Sequence, residues 1–188
     1  MRSIVPLFAV ALAASVPALA IENVPVPEFR SVQLRGGGEV VMRPGPVQRV
    51  TILEGSSQFT RIYVQRQSQL KIDACNARCP HQYRLRVLIE SPTIPPTLAV
   101  AGGGTITTAP GFAQQRQLTL AVAGGGVIDT RAARSDTVTA AVSGGGQIRV
   151  RPRSVLTAAV NGGGEIRYWG NPVVTTAIQG GGTVRPGG

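Results

Sequence analysis

Side chains suited to catalysis or metal binding are scarce in this sequence. Its 188 residues hold one His, two Cys and nine Asp or Glu in total. That is little material for a metal centre or an acid–base pair, so no metal, cofactor or catalytic residues are assigned. Aromatic residues make up only 4% of the chain and Trp169 is the single Trp, whereas 43% of the residues are hydrophobic. The apolar content is therefore mostly small and β-branched, which disfavours bulky helical bundles. No apolar run beyond Ile21 is long enough to span a bilayer. What abounds is Gly (24), Pro (14) and Arg; nineteen basic against nine acidic residues give +10, and eighteen of the nineteen are Arg.

The start of the chain reads as a secretory leader: the charged Met1-Arg2-Ser3, an apolar run from Ile4 to Ala14, and an A-x-A ending at Ala20. An uncleaved anchor is the alternative. Cleavage after Ala20 leaves 168 residues beginning at Ile21, with +9 because Arg2 is lost, enough for one domain (21–188) but not comfortably for two. No Cys follows the cleavage site, which argues against a lipoprotein. The expected address is exported, either periplasmic or secreted to the cell surface. In such an oxidising compartment Cys75 and Cys79, bracketing Asn76-Ala77-Arg78 between two alternating segments, read as a disulfide stapling a hairpin. Haem attachment or metal binding by Cys75, Cys79 and His81 is the rival, weakened by Pro80, which separates His81 from the second Cys.

Gly-Gly-Gly occurs six times, starting at Gly36, Gly102, Gly124, Gly144, Gly162 and Gly180, and the last five starts are 22, 20, 18 and 18 residues apart. The flanks repeat too. Two residues before each triplet stand Leu34, Val100, Val122, Val142, Val160 and Ile178; two residues after it stand Val40, Ile106, Ile128, Ile148, Ile166 and Val184. Upstream, Leu118-Leu120-Val122, Val138-Ala140-Val142 and Leu156-Ala158-Val160 alternate with Thr119, Thr139 and Thr157, a period of two that means strands. One such unit cannot bury its own apolar face, but stacked units can, with the aliphatic positions as internal ladders.

This reading predicts a right-handed parallel β-helix with coils of 18–22 residues. Residues 98–188 form its regular part, and 29–97 an amino-terminal β portion that includes the hairpin. Its corners are Gly102-Gly103-Gly104, Gly124-Gly125-Gly126, Gly144-Gly145-Gly146, Gly162-Gly163-Gly164 and Gly180-Gly181-Gly182, where missing Cβ atoms let successive turns stack. The central glycine, Gly145 for example, is expected to resist replacement by Ala. The tail from Arg185 to Gly188 is expected to fray.

The chain resembles the GIN domains, a family of putative autotransporter adhesin heads. The resemblance rests on Phe29-Arg30-Ser31-Val32, Leu70-Lys71-Ile72, Val87-Leu88-Ile89-Glu90-Ser91-Pro92, the recurrent glycine corners, and Ile166-Arg167-Tyr168-Trp169-Gly170-Asn171-Pro172 followed by Ile178 and the last triplet. It spans essentially residues 29–188. The family more often has Gly-Ser-Gly where this chain has Gly-Gly-Gly. The resemblance implies a β-helical protein of the bacterial envelope, and it carries over no catalytic residues.

Carbohydrate-active β-helices need clustered carboxylates, and the regular coils hold only Asp129, Asp136 and Glu165. Ser143 occupies an ordinary position beside a triplet, shared with Ala101, Ala123, Asn161 and Gln179, and lacks a nearby His in sequence. No helix pattern follows the glycines to bind phosphate. The charge is the stronger signal. The third residue after each regular triplet runs Thr107, Asp129, Arg149, Arg167, Arg185, so stacked coils would align three arginines, with Arg151 and Arg153 continuing the alternation. An exported basic protein meets lipopolysaccharide and anionic glycans before nucleic acid. The expectation is a non-catalytic binding or adhesion module whose partner is an anionic envelope polysaccharide or lipopolysaccharide. A passive periplasmic scaffold and a carbohydrate-active enzyme are the rivals. Tyr168 and Trp169 either close the last coils or stack on a sugar.

Overall fold

The computed structural model describes residues 21–65, 68–76 and 78–188; the expected leader, residues 1–20, lies outside them. Seven strands precede the regular triplets: β1 (Glu22–Val24), β2 (Ser31–Gly36), β3 (Glu39–Pro44), β4 (Arg49–Glu54), β5 (Arg61–Gln65), β6 (Gln69–Asp73) and β7 (Arg86–Ser91). Eight follow: β8 (Thr97–Gly102), β9 (Thr105–Thr108), β10 (Gln115–Ala123), β11 (Val127–Ser143), β12 (Gln147–Asn161), β13 (Glu165–Tyr168), β14 (Val173–Gln179) and β15 (Thr183–Pro186). All fifteen belong to one sheet.

The right-handed parallel β-helix is not what forms. The sheet is of mixed orientation and curls into a nearly closed barrel. Two features produce this. The pairs β1–β4, β4–β7 and β5–β6 run antiparallel, which no purely parallel coil contains. Strands β11 and β12 are also long enough to enter two walls each. Val127–Asp129 of β11 pair with β9 and Ser135–Ser143 pair with β10, while β12 gives its first residues to β13 and its last to β14. A strand shared in this way carries the sheet from one wall to the other.

Within those walls, equivalent residues of successive repeats are partners. Leu34, Val100, Val122, Val142, Val160 and Ile178 form one continuous row. Val40, Ile106, Ile128, Ile148, Ile166 and Val184 form the other. Every rung except the two last, Ile178 and Val184, is at most 2% exposed. Burying each such side chain contributes roughly 1.5–3 kcal/mol. A single apolar cluster runs from Phe29 to Ile166 and draws on both halves of the chain.

The triplets divide their labour unequally. Gly144 has φ +111°, and a Cβ there would lie 2.8 Å from the Gly124 carbonyl oxygen. At Gly146 a Cβ would collide with Cγ1 of Val122. The central Gly145 has no positive φ and nothing within 4 Å of a would-be Cβ, so the expectation that it resists Ala is overturned. First and third positions meet the neighbouring turn; the second points to open space.

Cys75 and Cys79 are bonded to each other, with Cα atoms 6.1 Å apart, but they staple no hairpin. The strands on either side part company: β6 pairs with β2 and β5, and β7 with β3 and β4. The bridge instead tightens the connection between them, and the neighbouring hairpin is β5–β6. The tail does not fray. Thr183–Pro186 pair with β13, and the Gly187 amide donates to the Tyr168 carbonyl at 2.8 Å.

Candidate functional site: an arginine row on the outer wall

Alternation along β11, β12, β13 and β15 sends every second side chain outward. In-register pairing then aligns Asp129, Arg149, Arg167 and Arg185 on consecutive strands. Beside this row, on the same face, lie Val127, Gln147, Glu165 and Thr183. Stacked like charges repel at strand spacing, and two carboxylates offset part of that repulsion. Glu165 Oε1 accepts hydrogen bonds from Arg167 Nε at 2.7 Å and Arg185 Nε at 2.6 Å. Asp129 is gripped by Arg131, whose Nε and Nη2 both donate to it, Nη2 at 2.7 Å, and it has Arg149 Nη1 at 3.7 Å. Arg149 Nη2 also donates to Gln147 at 3.1 Å.

These contacts depress both carboxylates. Hydrogen bonding from Arg167 is the foremost cause at Glu165, followed after partial desolvation by Arg185, and the group lies below its usual range. At Asp129 desolvation is the largest single effect and pushes upward. Hydrogen bonds from the Arg131 side chain and backbone, with the charges of Arg131 and Arg149, outweigh it. The Arg131 guanidinium is raised in turn by its bond to Asp129. Both acids are therefore anionic at neutral pH, and four arginines against two carboxylates leave this face with a surplus of two positive charges. The Nη nitrogens of Arg167 and Arg185 make no hydrogen bond among the described residues, since only Nε of each is engaged. They remain open to an incoming anion.

Arg151 and Arg153 do not extend the row. Arg151 is the partner of Arg134 across a register irregularity, and Arg153 turns to Gln114 at 2.9 Å and to Asp136 at 3.9 Å. The 20-residue spacing between the triplets at Gly124 and Gly144, against 18 for the next pair, places two extra residues in β11. The ladder absorbs them between Asp129 and Thr137. Sequence reasoning missed Arg131 and Arg134 for this reason, although the longer spacing and the Asp129-x-Arg131 alternation were visible signals.

Trp169 sits against this site rather than in the row. Its indole lies under Arg131, with the guanidinium carbon 4.9 Å from the ring centroid, and its Nε1 donates to the Gly188 carbonyl at 3.0 Å. A side chain on Gly187 would strike the ring, so glycine lets the tail lie flat on it. Tyr168 packs against the core. His81 is exposed in the connection after the disulfide. Ser143 is exposed at the end of β11, in line with Ala123 and Asn161.

Among the described residues no helix is long and apolar enough to cross a membrane. No curated protein matches the chain. Among solved structures, a putative adhesin from Bacteroides fragilis is similar at 18% identity with a TM-score of 0.56, covering 91% of this chain and 98% of its own; at that identity the likeness is one of fold. A putative adhesin from Parabacteroides distasonis aligns at 18% identity and TM-score 0.45, over 89% of this chain and 96% of its own. A putative lipid binding protein from the same organism aligns at 15% and 0.36, over 90% and 96%. Residues 97–172, which carry the first three regular triplets together with the fourth, match the family model described as putative auto-transporter adhesin, head GIN domain. The resemblance read from the residues is thus met over that stretch: residues 97–172 are similar to the GIN-domain family model.

Proposed function

We propose that the protein is a non-catalytic, adhesion-like module of the bacterial envelope that holds an anionic polymer against Arg149, Arg167 and Arg185. The match of residues 97–172 to an adhesin-head family model supports the coarser part of this reading, a binding rather than a catalytic role at the cell envelope. The observation that carries the finer part is the in-register arginine row with unengaged Nη nitrogens. A polymer with phosphates or uronates can meet such a row repeatedly. The planar guanidinium fork suits those groups better than an ammonium does.

The test is retention of the purified chain on immobilised heparin and lipopolysaccharide as salt is raised. Binding should weaken steeply with ionic strength. Changing Arg149, Arg167 and Arg185 together to Gln, with circular dichroism unaltered, should abolish retention at moderate salt. A triple variant retained like the parent would assign the row to a solvated face, leaving a passive scaffold.

A further inference from the structure

The two ends of the stacked walls are finished differently. At the amino-terminal end β6 is covered by antiparallel β5, and β7 by antiparallel β4, itself covered by β1. At the other end, β14 pairs only with β12 and β15 only with β13. Each therefore keeps one backbone edge with no strand against it among the described residues. The aliphatic row shows what this leaves uncovered. Val100, Val122, Val142 and Val160 are at most 2% exposed, whereas Ile178, the next rung, is 45% exposed and Val173 on the same strand is 71% exposed. A rung buried in every earlier strand is open in the last.

Proteins usually blunt such an edge with a charge, a proline or a bulge. Strand β14, Val-Val-Thr-Thr-Ala-Ile-Gln, has neither charge nor proline, and its ladder with β12 runs without a register shift. We propose that this edge joins two copies of the chain, β14 running antiparallel to the partner's β14 about a two-fold axis at Thr176.

The strand is self-complementary in that register. Val174 falls opposite the partner's Ile178 and Thr176 opposite the partner's Thr176. These are the inward positions, partners of Leu156, Ala158 and Val160 in β12. Thr175 falls opposite the partner's Ala177, both outward. Inward side chains thus meet inward ones, the condition for a stable register, and the pairing is isologous and closes at two copies.

Charge also favours a second copy here over contact elsewhere. Two strongly basic chains, each +9 over residues 21–188, repel over most of their surfaces, but residues 173–179 bring no like charges together. Arg185 on the adjoining edge is held by Glu165 at 2.6 Å. The head-to-tail alternative would set β14 against β5, whose Arg61 lies over Tyr63, and it would not close.

Sedimentation velocity of the exported chain over a concentration series should show a reversible dimer. Ile178→Lys, at a site exposed enough to take the lysine in the monomer, should sediment as a monomer at every concentration with an unchanged circular dichroism spectrum. Should that variant misfold, oxidation of Thr176→Cys decides: the two-fold register demands a covalent dimer from it and none from Thr175→Cys. A parent that stays monomeric, species that grow beyond the dimer, a folded Ile178→Lys variant that still dimerises, or equal cross-linking of the two cysteine variants would each overturn the proposal.

Discussion

Glu165 accepts the Arg185 Nε hydrogen bond at 2.6 Å across the β13–β15 ladder. The same oxygen takes Arg167 Nε at 2.7 Å, so one carboxylate holds two neighbouring rungs of the arginine row in place.

Acid should loosen that arrangement. Glu165 and Asp129 both titrate below their usual range in the folded chain, so the unfolded chain takes up their protons first as pH falls. Their contribution is fully present above the ordinary carboxylate values of about 4 and is lost as pH drops through the lower folded values. With both groups near the surface, roughly 1 kcal/mol each is the expected scale. Thermal melts from neutral pH downward should stay level until the carboxylate range and then decline. Glu165→Gln and Asp129→Asn should each flatten part of that decline. An acid limb unchanged in both variants would mean that these pairs add nothing to stability.

Replacing glycines one at a time within a triplet should give unequal results. Gly145→Ala is expected to stay within about 0.5 kcal/mol of the parent. Gly144→Ala forces a side chain into a left-handed conformation, costing roughly 1–2 kcal/mol before any contact with the Gly124 carbonyl is counted. Gly146→Ala must displace Val122, with overpacking costs of roughly 1–3 kcal/mol. Urea denaturation of the three variants would show the order, and equal losses at all three positions would contradict it.

Trp169→Ala should release the carboxyl-terminal tail. It removes the ring against which Gly187 lies and the donor to the Gly188 carbonyl. A stability loss of roughly 1–2 kcal/mol is expected, together with faster amide exchange at Gly187, whose N–H is bonded to Tyr168 in the parent. Exchange at Gly187 equal to that of the parent would show that β15 holds the tail without the indole.

The aliphatic rows and the triplet corners were legible in the sequence because in-register stacking demands the same kind of side chain at every rung. Alignment of Asp129 with Arg149, Arg167 and Arg185 follows from the same arithmetic. The closure of the sheet was not legible. A strand alternates with period two whether its neighbour is parallel or antiparallel, so Arg49–Glu54 and Arg61–Gln65 carry no mark of the direction in which they pair. Nor does a run of three identical glycines reveal which one carries the unusual backbone conformation. The segments flanking Cys75 and Cys79 alternate like a hairpin, yet each finds its partners elsewhere, β6 with β2 and β5 and β7 with β3 and β4.

Strands β11 and β12 run through both walls, and this has a mechanical consequence. In an array whose units touch only their neighbours, tension at one end peels turns away one at a time. Here a pull on the outer wall passes along continuous backbone into the opposite wall, where the same chain is locked by a second ladder. The two walls must yield together, so the domain should bear load as a single stiff body with an abrupt yield point.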